Sequence, residues 1–388
     1  MKWINKGHEF DEVGKKFKIK EKLWIYGAGE NGKDLFSRLG FADCVEGFID
    51  NAPHKINTLF CGKPVISYEE FLECEEKQKV IISISAVGTA GVMKTFLLNG
   101  YQEGKDVFDY HIFVTFYLPI YAWYAWGKVC PLTMGCVMTT VCNLNCVGCM
   151  NFTNMNSHLR HYDIQQLKEN FDLLFKHIDY IGFLQLTGGE PFLYPDFDVI
   201  VKYVNEKYRN RIGTFCIATN GTIVPGEKLL DSMKLANMTV YVDDYTENVE
   251  MARKNREQII KTLNEHCITI IDNKVGRWLD FWKFQNLTDE KQLIKKCVTC
   301  EVPFVSVKNG KLFGCNYTEY MTEAGGNVEN ESDYLDLKKE IQKEILMEFC
   351  LGYSDNGYYS FCGKCAGFHS NNPNKLPVAQ QSMKKDLY

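Results

Sequence analysis

From Val137 to Ile271 short apolar runs alternate with amphipathic stretches, and this alternation restricts the fold more than any other feature of the chain. An apolar run leads into Cys142, a helical pattern spans about Gln165 to His177, and a strand-like run covers Ile181 to Leu186. Helical spacing returns around residue 200, followed by a strand at Thr214 to Ala218 and a helix near Lys228 to Leu235. A strand at Thr239 to Val242, a helix near 250 to 264 and a strand at Ile268 to Ile271 complete the series. Strands and helices in turn imply parallel strands joined by right-handed crossovers. The expected result is a partial or full barrel with its site at the carboxyl ends of the strands.

The notable motifs fall at those ends. Cys142-Asn-Leu-Asn-Cys146-Val-Gly-Cys149 follows the first strand, Leu186-Thr187-Gly188-Gly189-Glu190-Pro191 the second, and Ala218-Thr219-Asn220-Gly221 the third. Three thiolates in one loop can hold three corners of a 4Fe-4S cube and leave the fourth iron open. Zinc is the competing reading, but it prefers four closed ligands and needs a distant residue to complete this set.

The ordered set resembles the radical S-adenosylmethionine (radical SAM) enzymes, over roughly residues 132 to 370. The resemblance implies that Cys142, Cys146 and Cys149 bind a 4Fe-4S cluster whose open iron chelates S-adenosylmethionine. It also implies reductive cleavage to a 5′-deoxyadenosyl radical, and an external one-electron reductant such as flavodoxin or ferredoxin. Gly188 and Gly189 would let the backbone approach the methionyl group, with Glu190 accepting from its ammonium. Thr219 and Asn220 suit the ribose or the carboxylate, and Asp243 the ribose hydroxyls. The residue before the third cysteine, usually aromatic and facing adenine, is Gly148 here, which shifts that contact to Phe152.

The last hundred residues lose the alternation and carry Cys297, Cys300, Cys315, Cys350, Cys362 and Cys365, with a hairpin signal at Asn309-Gly310. Cys300, Gly310, Cys315 and Cys362-Gly-Lys-Cys365 resemble the short "twitch" form of the SPASM extension. That resemblance implies an auxiliary 4Fe-4S cluster on Cys300, Cys315, Cys362 and Cys365. A zinc ribbon is the alternative. Cys297 and Cys350 remain unassigned.

Upstream, Leu23 to Tyr26 reads as a strand, Gly27-Ala28-Gly29-Glu30-Asn31-Gly32 as a turn into a helix, and Val45 to Asp50 as a second strand ending in an acid. This is a βαβ fingerprint that would place Gly27, Gly29 and Gly32 on a phosphate and Asp50 on a ribose. The alternative is a glycine loop that only packs a helix on a sheet. The region also resembles the N-terminal domains of bacterial polysaccharide-biosynthesis proteins. Tyr110 to Gly127 carries no Asp, Glu, Lys or Arg, yet Pro119 interrupts it, so we expect a buried linker and no transmembrane span.

The expected architecture is α/β: a Rossmann-like domain (1–110), an aromatic linker (111–131), a partial (β/α)6 TIM-like barrel (132–290) and a small cysteine-rich extension (291–388). A net charge of −5 without basic clusters argues against nucleic acid. Sixteen cysteines grouped by metal spacing, after a start with no apolar signal core, suggest the cytoplasm. The substrate expected from these features is a carbohydrate or nucleotide sugar, undergoing oxidation or epimerisation. Oxidation is favoured, because an auxiliary cluster accepts electrons and only Cys216 and Cys267 offer thiols near the strand ends. A peptide-modifying maturase and a non-catalytic metal-stabilised binding protein are the alternatives.

Overall fold

The computed structural model describes residues 2–280, 286–301, 305–368 and 372–382. Its first sheet contains β1 (Leu23–Tyr26), β2 (Val45–Ile49), β3 (Leu59–Phe60), β4 (Lys63–Ile66), β5 (Lys79–Ile82) and β6 (Val107–Asp109), in the order β3-β4-β2-β1-β5-β6. All pairs are parallel except the β3/β4 hairpin. β5 is buried along its whole length, because helices cover both faces of a parallel sheet. From β1 the chain winds out to β2 and β4 on one side, then returns to build β5 and β6 on the other.

The aromatic linker is helical. Asp109 caps its start by accepting from His111 N and Ile112 N, and Tyr110–Ile112 leads into a π-helical turn at Phe113–Tyr117 and an α-helix at Leu118–Trp126. The widened turn lies just before Pro119, whose missing N–H cannot complete the helical ladder. Phe113, Leu118 and Tyr121 are fully buried against Phe17 and Phe108 of the first unit. No helix among the described residues is long and apolar enough to cross a membrane.

The second sheet holds β7 (Thr133–Thr139), β8 (Ile181–Gly188), β9 (Ile212–Thr219), β10 (Thr239–Asp243) and β11 (Thr269–Asn273), all parallel and adjacent in chain order. The helices Ile164–His177, Phe197–Tyr208, Glu227–Leu235 and Glu250–Glu265 form the crossovers. After a separate short strand, β12 (Trp278–Leu279), the chain returns to the opposite edge. There β13 (Val305–Lys308) pairs parallel with β7 and continues antiparallel through β14 (Lys311–Phe313) and β15 (Tyr334–Asp336). Six strands are thus parallel, but the sixth joins beside the first of the series rather than beyond the fifth. β11 and β15 are the two edges of the sheet.

The β13/β14 turn uses Asn309 and Gly310 at φ +52° and +71°, the doubly left-handed geometry that Asn-Gly favours in hairpins. The last strand, β16 (Lys375–Leu376), pairs antiparallel with β12. The two halves meet where the Glu30–Arg38 helix lies on β8 and β9: Tyr180 donates its hydroxyl to Ser37 O at 2.7 Å. Gly213 has no room for a side chain there, since a Cβ would stand 2.8 Å from that same carbonyl.

Candidate functional site

The loop after β7 is knitted to the end of β8 by backbone hydrogen bonds, Gly189 N to Thr139 O at 2.8 Å and Glu190 N to Val141 O at 2.9 Å. This contact explains the paired glycines: a Cβ on Gly188 would lie 2.0 Å from Thr139 O, and one on Gly189 2.1 Å from Val141 O. Close approach to the cysteine loop alone therefore requires them. Both also line the cavity described below.

Each cysteine of the loop meets a polar group. Cys142 Sγ accepts from Leu144 N (3.4 Å) and Asn220 Nδ2 (3.9 Å), and Cys146 Sγ from Gln381 Nε2 (3.1 Å). Cys149 Sγ lies 3.3 Å from Thr153 Oγ1. Burial pushes the Cys142 and Cys146 thiols up to about 12, and the neighbouring Cys149 adds to the rise in both. Thiolates grouped this way are unfavourable without a positive centre among them. N–H donors aimed at sulfurs in a largely buried pocket form a donor set that fits a cationic iron-sulfur group.

The three cysteines line a cavity of about 450 Å3 at the carboxyl ends of the parallel strands. Gly188, Gly189, Thr219, Asn220 and Asp243 line it as well. Its lining mixes apolar and aromatic side chains (Met150, Tyr245, Val275, Trp278, Leu279, Tyr317, Tyr320 and Phe368) with polar ones (Asn151, Thr153, Gln185, Thr187, Asn273 and Asn316), and Arg277 is its cation. Among the described residues no group of three His, Cys, Asp or Glu side chains is gathered tightly enough to hold a single metal ion.

Glu190 is placed differently from its expected role. It is fully buried, and its carboxylate accepts from Thr219 Oγ1 (2.9 Å), Asn220 N (2.8 Å) and Phe192 N (3.0 Å). Burial pushes it up to about 7 against the pull of those three donors. The residue braces the ends of β8 and β9 and is not part of the cavity lining. Asp243 does line the cavity; it accepts from Tyr245 OH (2.8 Å) and Asn273 Nδ2 (2.6 Å), and burial raises it.

Phe152 is a correction. It is fully buried at φ +52°, packed edge-on against Tyr317 and Phe361, so it sits in the core behind the loop. Gly148 has its own reason to be glycine: at φ +70°, its Cβ would meet Leu376 Cδ1 at 2.4 Å.

Cys300, Cys315, Cys362 and Cys365 line one second cavity of about 530 Å3, and Cys297 and Cys350 line it too. Burial pushes Cys315 and Cys365 up. A hydrogen bond from Cys362 lowers Cys297, helped by the Lys2 ammonium, and the same bond raises Cys362. The Asn316–Glu323 helix starts directly after Cys315, and its Tyr317 lines both cavities. Asn316 and Tyr320, one helical turn apart, face the first cavity, a relation that i, i+4 spacing makes readable once the helix is placed. Trp278, Arg277 and Gln381 carry no spacing signal at all.

At the first sheet, Gly27 has φ +115° and a Cβ on Gly32 would lie 2.0 Å from Gly27 O, so helix packing alone requires both. Gly29 faces open space. Asp50 accepts from Ala28 N (3.0 Å), Ala52 N (2.9 Å) and Lys55 Nζ (2.8 Å), which closes the turn on itself.

The family model described as the Radical SAM superfamily matches residues 136–269, from within β7 to the start of β11. That match covers the strand and cysteine segment and leaves residues 1–135 aside, so it lends no support to a polysaccharide-biosynthesis likeness. The antilisterial bacteriocin subtilosin biosynthesis protein AlbA of Bacillus subtilis is 28% identical over 153 residues, 36% of this chain and 32% of that protein. The GTP 3′,8-cyclase of Nautilia profundicola is 36% identical over 107 residues, 26% of this chain and 33% of that protein. The alignments thus span about a third of the length of these curated relatives. Among solved structures, BtrN in complex with AdoMet and 2-DOIA is 16% identical, with a TM-score of 0.34 over 49% of this chain and 74% of that one.

Proposed function

We propose that the protein is a radical SAM enzyme. The observation that carries this reading is that Cys142, Cys146 and Cys149 line one cavity with Gly188, Gly189, Thr219 and Asn220, all inside the matched segment. A 4Fe-4S cluster bound by the three cysteines would supply the electron that cleaves S-adenosylmethionine to methionine and a 5′-deoxyadenosyl radical. Leu144 N, Asn220 Nδ2 and Gln381 Nε2 direct hydrogen bonds at the sulfurs. The Gly188-Gly189 backbone, Thr219 and Asn220 offer polar groups to the methionyl and ribose parts, with Glu190 holding the two strand ends in register.

For the substrate, a peptide is the better reading than a carbohydrate. One curated relative is named for bacteriocin biosynthesis and the other for a nucleotide, GTP. The apolar part of the lining, Met150, Val275, Trp278, Leu279 and Phe368, suits burial of a peptide side chain. Of the two outcomes, oxidation is favoured over epimerisation, which needs a thiol to hand over a hydrogen atom. Cys216 is fully buried within β9 with its Sγ 3.6 Å from Leu184 O, and Cys267 is exposed on the turn before β11; neither lines the cavity. Cys300, Cys315, Cys362 and Cys365 would hold an auxiliary cluster suited to one-electron transfer.

The test is anaerobic incubation of reconstituted, reduced protein with S-adenosylmethionine. Formation of 5′-deoxyadenosine is expected, and its loss when Cys142, Cys146 and Cys149 are all replaced by Ala. Cleavage that persists in the triple variant would overturn the assignment, and a wild-type protein that cleaves nothing would make it a metal-stabilised binding protein. Deuterium transfer from labelled peptides, and not from labelled sugars, into 5′-deoxyadenosine is the expected substrate result.

A further inference from the structure

The segment from Lys375 to Ser382 lies across the cysteine loop and pairs with it. Val147 N donates to Gln380 O (2.7 Å), Ser382 N to Asn145 O (2.8 Å), and Cys146 and Gln381 form an antiparallel bridge. Val378 and Ala379 are buried with Cys146, Val249 and Ala252, and Leu376 fills the space that a side chain on Gly148 would need. Asn248 Nδ2 ties the segment down from the other side through Val378 O (2.8 Å).

Within this pairing the Gln381 side chain is fixed at both ends. Its Oε1 accepts from Asn145 N (2.9 Å), and its Nε2 donates to Ala379 O (2.8 Å) and to Cys146 Sγ (3.1 Å). We propose that Gln381 is a positioning residue for the cysteine loop, and that its hydrogen bond to the Cys146 sulfur sets the redox poise of the group bound there. The proposal rests on the radical SAM reading. A donor aimed at a ligand sulfur stabilises the extra negative charge that reduction brings, so it raises the reduction potential. Because the amide is anchored at Asn145 and Ala379, its N–H keeps that direction when the charge changes, with little reorganisation.

The experiment measures the midpoint potential of the cluster whose electron paramagnetic resonance signal changes on adding S-adenosylmethionine. Three proteins are compared: wild type, Gln381→Met, which keeps the packing volume but has no donor, and Asn248→Ala, which loosens the segment without touching sulfur. Iron and sulfide per chain are measured in each. Expected are a potential shifted to more negative values in Gln381→Met at wild-type iron content, and an unshifted potential in Asn248→Ala. The proposal is overturned by an unchanged potential in Gln381→Met, by an equal shift in Asn248→Ala, or by loss of that cluster's iron from Gln381→Met, which would mean a merely structural role. A wild-type protein with no signal sensitive to S-adenosylmethionine would instead sink the reading beneath it.

Discussion

Glu319, 1% exposed in the wall behind the strands, shows what the interior does to a single carboxylate. Burial pushes it up to about 7 from 4.5, with the Lys308 ammonium opposing the rise and Glu323 adding to it. The folded chain therefore holds a proton between those values that the unfolded chain has released. Its stability contribution is complete below about 4.5 and is lost as pH rises through about 7. Glu319→Gln stays neutral throughout, so we predict that it melts at a higher temperature than wild type at pH 8 and gains nothing at pH 4. The gain is on the order of 1 to 3 kcal/mol. Equal offsets at both pH values would show that the proton is not involved. At this scale the sequence told much about groups whose neighbours lie in the same loop or at adjacent strand ends, such as Cys142, Gly188 and Asn220. It told nothing of Gln381, whose partner Cys146 is far away in the chain, and it misplaced Phe152, because an aromatic near a motif packs inward as readily as outward.

Among the elements, the alternation of β7 to β11 with their helices was legible almost residue by residue, since a buried parallel strand and an amphipathic crossover have distinct periods. The Asn309-Gly310 hairpin was equally plain. What chain order did not carry was the edge at which β13 joins, because either free edge of an open sheet offers the same backbone groups. Joining beside β7 brings Cys315 and its helix next to the first cavity, so that Tyr317 forms a wall common to both. We predict that Cys362→Ala with Cys365→Ala loses the iron of the second cavity and abolishes substrate turnover, while 5′-deoxyadenosine still forms at a rate within a fewfold of wild type. If cleavage disappears as well, with the cysteine loop still holding its iron, the two cavities do not act separately. Cys297 and Cys350 could not be assigned by spacing, and the structure brings them to the same cavity as the other four.

As a whole, the molecule is held together by contacts across the parts that the sequence suggests, such as Tyr180 on Ser37. The core of Phe17, Phe108 and Tyr121 also takes in Tyr180, just before β8, and Met347, while the second sheet has a cluster of its own around Leu184 and Phe215. Shared burial of this kind couples unfolding, so a single calorimetric transition is predicted; two well-separated transitions would show independent units. The glycine turn of the first sheet was readable as βαβ from its pattern. The ion pair of Asp50 with Lys55 was not, because the same acid can hold a ribose or close its own turn. The crossing of the cysteine loop by the segment around Gln381 has a further consequence in time. Polypeptides are made from the amino end, and Gln381 follows Cys146 by 235 residues. The thiols are therefore made well before their cover, so the loop stands open while the intervening chain is synthesised and closes only once Gln381 can pair with it.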